Sequence, residues 1–177
     1  SERREHLHGN VKFVFQPAEE GPGGAKPMIE AGVLKDPAVD LAIGIHLWND
    51  LPVGQIGIQS GPIMASMDRV EITVLGKGAH AAKPQEGVDP IVVSAHLISA
   101  LQTLMSRERN PLDPGILTIG SIHGGNAFNV IPDEVKLLGT VRTLSDELWE
   151  AMPGRIVRMA EGVASGFGAE VKVEYQK

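Results

Sequence analysis

Residues 11–46 read VKFVFQPAEEGPGGAKPMIEAGVLKDPAVDLAIGIH, and the architecture of the first part of the chain turns on them. Val11 to Phe15 is a short β-branched and aromatic run, closed by Gln16-Pro17 because proline has no N–H for a continuing ladder. It predicts a buried strand. Gly24 to Gly32 carries apolar residues at Ala25, Met28, Ile29 and Ala31, with Gly32 placed to stop a helix, and Leu41 to Ile45 is a second apolar run. Strand, helix and strand imply a parallel βαβ unit. Ligands gather beyond the carboxyl ends of such strands, where Glu19 and Glu20 follow the first run and His46 ends the second. These three side chains are expected to converge.

Paired carboxylates can divide the work of metal-assisted hydrolysis. One holds the ion while the other takes a proton from the attacking water. An imidazole beside a carboxylate suits zinc, manganese, cobalt or nickel better than calcium. Read alone, Glu19-Glu20 is equally a solvated acidic turn, and a lone histidine at a strand end is usually structural.

FQPAEEGPGGAKPMIEAGVL (15–34) followed by AIGIHLWNDLPVGQIGIQSGPIMAS (42–66) resembles the metal-dependent amidohydrolases, the family of N-acyl-amino-acid amidohydrolases, hippurate hydrolases, indoleacetyl-amino-acid hydrolases, aminoacylases and carboxypeptidases. The likeness continues through GKGAHAAKP (76–84) and GGNAFNVIPDEVKLLGTVRT (124–143), so it covers nearly the whole chain. It implies Glu19 as general base, Glu20 and His46 as metal ligands, and a pair of divalent ions in a complete site. The implied reaction is hydrolysis of the amide bond of an N-acyl amino acid. A dipeptidase or carboxypeptidase of the same family is the competing enzyme reading, and a non-catalytic dimerisation or ligand-binding module is the other. Full members carry further metal ligands upstream and a histidine near the C-terminus. This sequence is therefore expected to be an internal segment whose own metal site is incomplete.

Composition narrows the field around this stretch. The 177 residues can hold one or two domains, and a net charge of −6 without clustered lysine and arginine argues against a nucleic-acid surface. The sequence has no cysteine, hence neither disulfides nor thiolate ligands. No apolar run is long enough for a membrane span, the first residues are charged rather than signal-like, and cytoplasm is the default compartment.

Beyond His46, Gln55 to Gln59 alternates as a further strand, and the small, breaker-rich stretch from Gly61 to Asp68 marks a boundary, giving a partial catalytic domain at 1–64 and a lid at 65–177. Arg69 to Leu75 alternates with period two. Asp89-Pro90 opens a helix with Ile91, Ala95, Ile98, Leu101 and Met105 as its apolar stripe. Ile116 to Ile122 and Val130 to Thr143 read as strands, Ser145 caps a second helix with a kink or break at Pro153-Gly154, and Ala169 to Tyr175 is the last strand. The order predicts a ferredoxin-like α+β lid, four antiparallel strands under two helices.

His80, in the loop Gly76 to His80, reads alone as an ordinary loop histidine. The resemblance instead implies a lid histidine that holds the substrate carbonyl oxygen as charge develops, a task suited to an imidazole N–H. Asn129 and Arg142 match positions that hold the amide and the free carboxylate, with convergence expected through a bend or bulge at Pro132. A plain surface arginine is the alternative for Arg142. His96 and His123 read as structural. In dimeric members the lid histidine and asparagine reach into the partner's active site, so a homodimer joined through an exposed lid edge is expected.

Overall fold

The computed structural model describes residues 4–6, 8–19 and 23–177. The chain divides into two compact units, Ser1–Ile56 and Gly57–Lys177.

In the first unit, helix α1 spans Ala25–Glu30. Its stop is the one expected: Gly32, with φ of 87°, donates its N–H to Ile29 O while Val33 N–H reaches back to Met28 O. A glycine tolerates that left-handed position without strain and satisfies the last carbonyls. The expected parallel strands are not formed. Val11 to Phe15 and Leu41 to Ile45 have extended, unladdered backbone, and Phe15 and Ile45 are 86% and 95% exposed. Gln55 to Gln59 is likewise outside any ladder. A strand needs a neighbour for its N–H and C=O groups, and among the described residues these runs have none, so propensity alone leaves them unpaired.

The second unit is built on a four-stranded sheet of β1 (Asp68–Leu75), β3 (Gly115–His123), β5 (Glu134–Thr143) and β6 (Glu170–Gln176), in the order β3-β5-β1-β6 with every pair antiparallel. A short separate ribbon pairs β2 (Ala79–His80) with β4 (Val130–Ile131). Helices α2 (Pro90–Thr103) and α3 (Asp146–Gly166) pack on one face of the sheet. The element order and strand order are those of the expected ferredoxin-like sandwich, a mixed α/β architecture. Alternation decides the faces: Val70, Ile72 and Val74 are buried under the helices, while Arg69, Glu71 and Thr73 lie on the other side. No helix among the described residues is long and apolar enough to cross a membrane.

Both caps form as expected. The Asp89 carboxylate accepts from Ile91 N–H (2.9 Å) and Val92 N–H (3.4 Å), with Pro90 in the first turn, and Ser145 Oγ accepts from Leu148 N–H (3.3 Å). The buried stripe of α2 differs from the expected one. Of the expected residues, Leu101 is buried and Ile98 and Met105 pack partly buried against the core, but Ile91 is 44% exposed and Ala95 lies outside, and Val93, Leu97 and, just past the helix, Leu104 complete the buried face. An α2 that is apolar on most of its circumference offers two possible stripes, and packing against the sheet and α3 selects one. On α3 the core stripe runs Leu148, Met152, Ile156 and Ala160, and it carries the helix through Pro153 without a break. Met152 and Ile156 are fully buried on either side of the proline, and that packing outweighs the lost N–H. Leu137, on the central strand β5, is fully buried. Leu137→Ala is expected to cost about 2–5 kcal/mol of stability, read as a lowered urea midpoint with an unchanged slope.

The single expected run Val130 to Thr143 is two strands, interrupted at Pro132-Asp133, since proline cannot donate within a ladder. A buried carboxylate pins the start of β1. Asp68 accepts from Trp149 Nε1–H (3.1 Å) on α3 and Tyr175 O–H (2.7 Å) on β6. Burial, followed by the bond to Asp68 and its charge, pushes the Tyr175 phenol well above its ordinary range. A raised pKa means that the fold favours neutral Tyr175, so this contribution is complete below the ordinary phenol value near 10.0 and lost as pH rises beyond it. Thermal melts are accordingly expected to fall more steeply above that pH for the native chain than for Tyr175→Phe.

Candidate functional site

In the first unit, Glu19 is exposed and follows Ala18, whose φ of 50° lies in the left-handed region rarely adopted by non-glycine residues. Glu20 lies outside the described residues. His46 is exposed at the end of its extended run, with the Trp48 ring edge-on to the imidazole at 5.8 Å between centroids. His46 Nδ1 is 2.6 Å from Leu47 O. A carbonyl oxygen only accepts, so Nδ1 is the donor, and in the neutral ring Nε2 then keeps a bare lone pair, the tautomer a metal-ligating imidazole requires. The residue thus fits a divalent ion. Among the described residues no group of three or more histidine, aspartate or glutamate side chains is gathered closely enough to hold a metal.

In the second unit, the β2–β4 ribbon brings two expected site residues together. His80 pairs opposite Val130, and Ala81 N–H donates to Asn129 O at 3.0 Å, so the backbones of His80 and Asn129 are diagonal neighbours across the ribbon, and both residues are exposed. The loop before His80 is held in three places. Gly76 N–H donates to Asp133 O (2.8 Å), Gly78 N–H to Asp133 Oδ1 (2.8 Å), and Lys77 exchanges both backbone bonds with Val88. Close approach explains the glycines: a Cβ on Gly76 would lie 2.3 Å from Val88 O, and one on Gly78 would lie 2.9 Å from Asp133 Oδ1. His80 Nδ1 accepts Ala82 N–H at 3.0 Å. Beside the ribbon lies an open groove of about 1030 Å³, lined by Gly78, Ala79, Asn126, Pro132 and Asp133 among others.

Arg142 is not part of this cluster. It is exposed near the far end of β5, opposite Ile116, eight residues from the strand start at Glu134 and therefore roughly 26 Å along an extended strand. The interruption at Pro132 ends β4 rather than folding β5 back, so the expected convergence of Arg142 with Asn129 does not occur within one chain. Sequence reasoning passed over Asp133 and Phe128. Asp133 was hidden inside an apparent strand, although Pro132 signalled the break. Phe128, beside Asn129, is fully exposed, a rare state for a phenylalanine.

A model of the peptidase dimerisation domain matches residues 66–165. The chain is 44% identical over 175 residues to N-acetylcysteine deacetylase of Bacillus subtilis (strain 168), covering 99% of this chain and 46% of the relative. It is 40% identical over 176 residues to N-acyl-L-amino acid amidohydrolase of Geobacillus stearothermophilus, covering 99% and 47%. A solved Bacillus subtilis structure, described as a dinuclear metal binding peptidase from the M20 family, superposes with a TM-score of 0.76 at 40% identity, over 99% of this chain and 43% of that one. The chain spans under half the length of the curated relatives it matches. By the match to that dimerisation domain over more than half its length, and by its likeness to these relatives, the chain belongs to the M20 family of metallopeptidases and amidohydrolases.

Proposed function

We propose that this sequence serves a metal-dependent amidohydrolase that cleaves N-acyl amino acids into a carboxylic acid and an amino acid. The observation that carries the reading is 40–44% identity, over nearly the whole chain, to relatives named as a deacetylase and an N-acyl-amino acid amidohydrolase. The proposed functional boundary at 64/65 lies a few residues beyond the division of the compact units after Ile56, and the family match starting at residue 66 and β1 at Asp68 support it. Residues 1–64 then belong to the catalytic part and 65–177 to the lid, with cytoplasm as the default compartment.

His46 through Nε2, and Glu20, would hold the divalent metal, with the remaining ligands from outside these residues. When bound, zinc, manganese, cobalt or nickel, two ions in a complete site, supplies Lewis-acid polarisation of the amide carbonyl and a more acidic water. Glu19 takes a proton from the attacking water and passes it to the leaving amine. His80 donates to the carbonyl oxygen as negative charge develops, and Asn129 holds the amide beside it. Arg142 pairs with the substrate carboxylate through its guanidinium fork. Since Arg142 and the His80–Asn129 pair lie at opposite ends of one lid, a homodimer that brings a second copy to each site is the natural way to use both.

The dimer would join through β3. Both outer strands are sheet edges, but β6 reads EVKVEYQ with charges at alternate positions, whereas β3 reads GILTIGSIH with no formal charge and leaves Ile116 and Ile122 about half exposed. Charged edges resist pairing and apolar ones invite it. Ile116→Lys with Ile122→Lys is expected to turn a dimer into a monomer in light scattering, while Lys172→Ile on β6 leaves the mass unchanged.

The test of function is hydrolysis by a full-length enzyme carrying this sequence. N-acetyl and N-benzoyl amino acids should be cleaved, a chelator should abolish turnover, and added manganese, zinc, cobalt or nickel should restore it. Preference for dipeptides would favour the peptidase reading, to which the description of the solved Bacillus subtilis relative points. No hydrolysis of either class would leave a dimerisation or binding module.

A further inference from the structure

We propose that Asp133 is the positioning residue for the His80–Asn129 pair, acting through the Gly78 amide to set which ring nitrogen His80 presents. This deepens the proposed function and rests on it for its kinetic consequence, but its structural part stands on geometry alone.

Asp133 lies at the junction of β4 and β5, and it holds the loop before His80 twice. Its backbone oxygen accepts Gly76 N–H and its Oδ1 accepts Gly78 N–H, each at 2.8 Å. The carboxylate lies where a side chain at position 78 would have to go, since a Cβ there would be 2.9 Å from Oδ1 and 3.1 Å from Ile131 O. The glycine and the aspartate therefore form one fitted joint. It ties β2, which carries His80, to the end of β4, the strand that Asn129 leads into. A carboxylate accepting a backbone N–H makes a charge-assisted bond stronger than an ordinary turn contact, and it fixes the glycine nearest His80, beyond the Lys77–Val88 backbone pair that holds the start of the loop.

The consequence appears at the imidazole. With the loop seated, Ala82 N–H points at His80 Nδ1 at 3.0 Å. Nδ1 then serves as acceptor, and in the neutral ring the proton must sit on Nε2. His80 so held is a pre-aimed N–H donor and has no free basic nitrogen. That suits stabilisation of a developing oxyanion, which gains most from donors fixed before the reaction. It also separates the duties: proton transfer is left to Glu19. His80 and His46 are opposite in this respect, since Leu47 O accepts from Nδ1–H of His46 whereas Ala82 N–H donates to Nδ1 of His80.

Nitrogen-15 NMR of the histidine-labelled 177-residue chain, at alkaline pH where imidazoles are neutral, tests this directly. In the native chain His80 should be in the Nε2–H form, with coupling across the bond from Ala82 to Nδ1. Finding Nδ1–H would overturn the proposal without any variant. Asp133→Ala should release His80 to a mixture of tautomers and lose the coupling, while Asp133→Asn, whose Oδ1 can still accept from Gly78, should restore the native pattern. A native His80 signal in folded Asp133→Ala, or a failure of Asp133→Asn to restore it, would likewise overturn it. In a full-length enzyme, Asp133→Ala should lower kcat on the order of 10²-fold with KM nearly unchanged, and Asp133→Asn should recover most of it. If His80→Ala leaves turnover intact, the proposed role of His80 fails while the NMR result still judges the Asp133 joint.

Discussion

Glu19→Gln in a full-length enzyme is expected to lower kcat by about 10²–10⁴-fold on N-acyl amino acids, with KM and metal content little changed. Glutamine keeps the size and one carbonyl oxygen of glutamate but cannot take up a proton at neutral pH. Its neighbour in sequence, Glu20, is the proposed ligand, so the two carboxylates should separate cleanly: Glu20→Gln should lower metal stoichiometry, whereas Glu19→Gln should not. Glu19 is exposed on a turn set by the positive φ of Ala18, so the substitution removes no buried contact and the fold should be unaffected. Steady-state kinetics paired with metal analysis distinguishes the outcomes. Turnover within a few-fold of native at full metal loading would exclude Glu19 as the proton carrier.

His80→Ala is the second large effect, expected to cost roughly 10²–10³-fold in kcat, the loss typical of one oxyanion donor. Asn129→Ala should act on the same step, and because the two residues share one ribbon, the double variant should lose less than the product of the single losses. Mixing subunits makes the test sharper. If His80 serves the partner's site, a heterodimer of a Glu19→Gln subunit and a His80→Ala subunit contains one site with both groups intact, and mixing two nearly inactive proteins should restore activity. If His80 serves its own subunit, no mixed site is complete and activity stays low. The geometry within one lid favours restoration, since Arg142 and His80 cannot meet on one small substrate.

Much of the lid was readable from the chain because its signals are local. The Asp89-Pro90 and Ser145 caps and the alternation of Arg69 to Leu75 depend on neighbours within a few residues. The buried stripe of α2 was readable only in part, at Ile98, Leu101 and Met105, because a helix with Ile91, Val92, Val93, Leu97 and Ile98 in close succession presents apolar residues in several directions. The interruption of Val130 to Thr143 was readable in principle from Pro132, yet β-propensity on both sides concealed it.

The candidate site divides along the same line. Residue type and strand-end placement pointed to Glu19, Glu20 and His46, and the resemblance to the amidohydrolases to His80, Asn129 and Arg142. Their protonation states and company were not encoded locally. Whether an imidazole carries its proton on Nδ1 or Nε2 depends on whether a carbonyl or an amide faces it, and those come from Leu47 O for His46 and Ala82 N–H for His80. The apolar runs of the first unit make the same point in reverse: Val11 to Phe15 has every local mark of a strand, but a ladder is a relation between two strands.

By itself, the sequence determined the lid's order of strands and helices and its caps, because those follow from short-range periodicity and proline and glycine placement, while the likeness of its motifs pointed to the family and to His80, Asn129 and Arg142. Tertiary structure alone decided which side of α2 is buried, that the backbones of His80 and Asn129 are neighbours while Arg142 is distant, and that Asp133 holds the loop before His80. Each of these depends on groups distant in sequence meeting within hydrogen-bond or van der Waals distance, which no local pattern specifies.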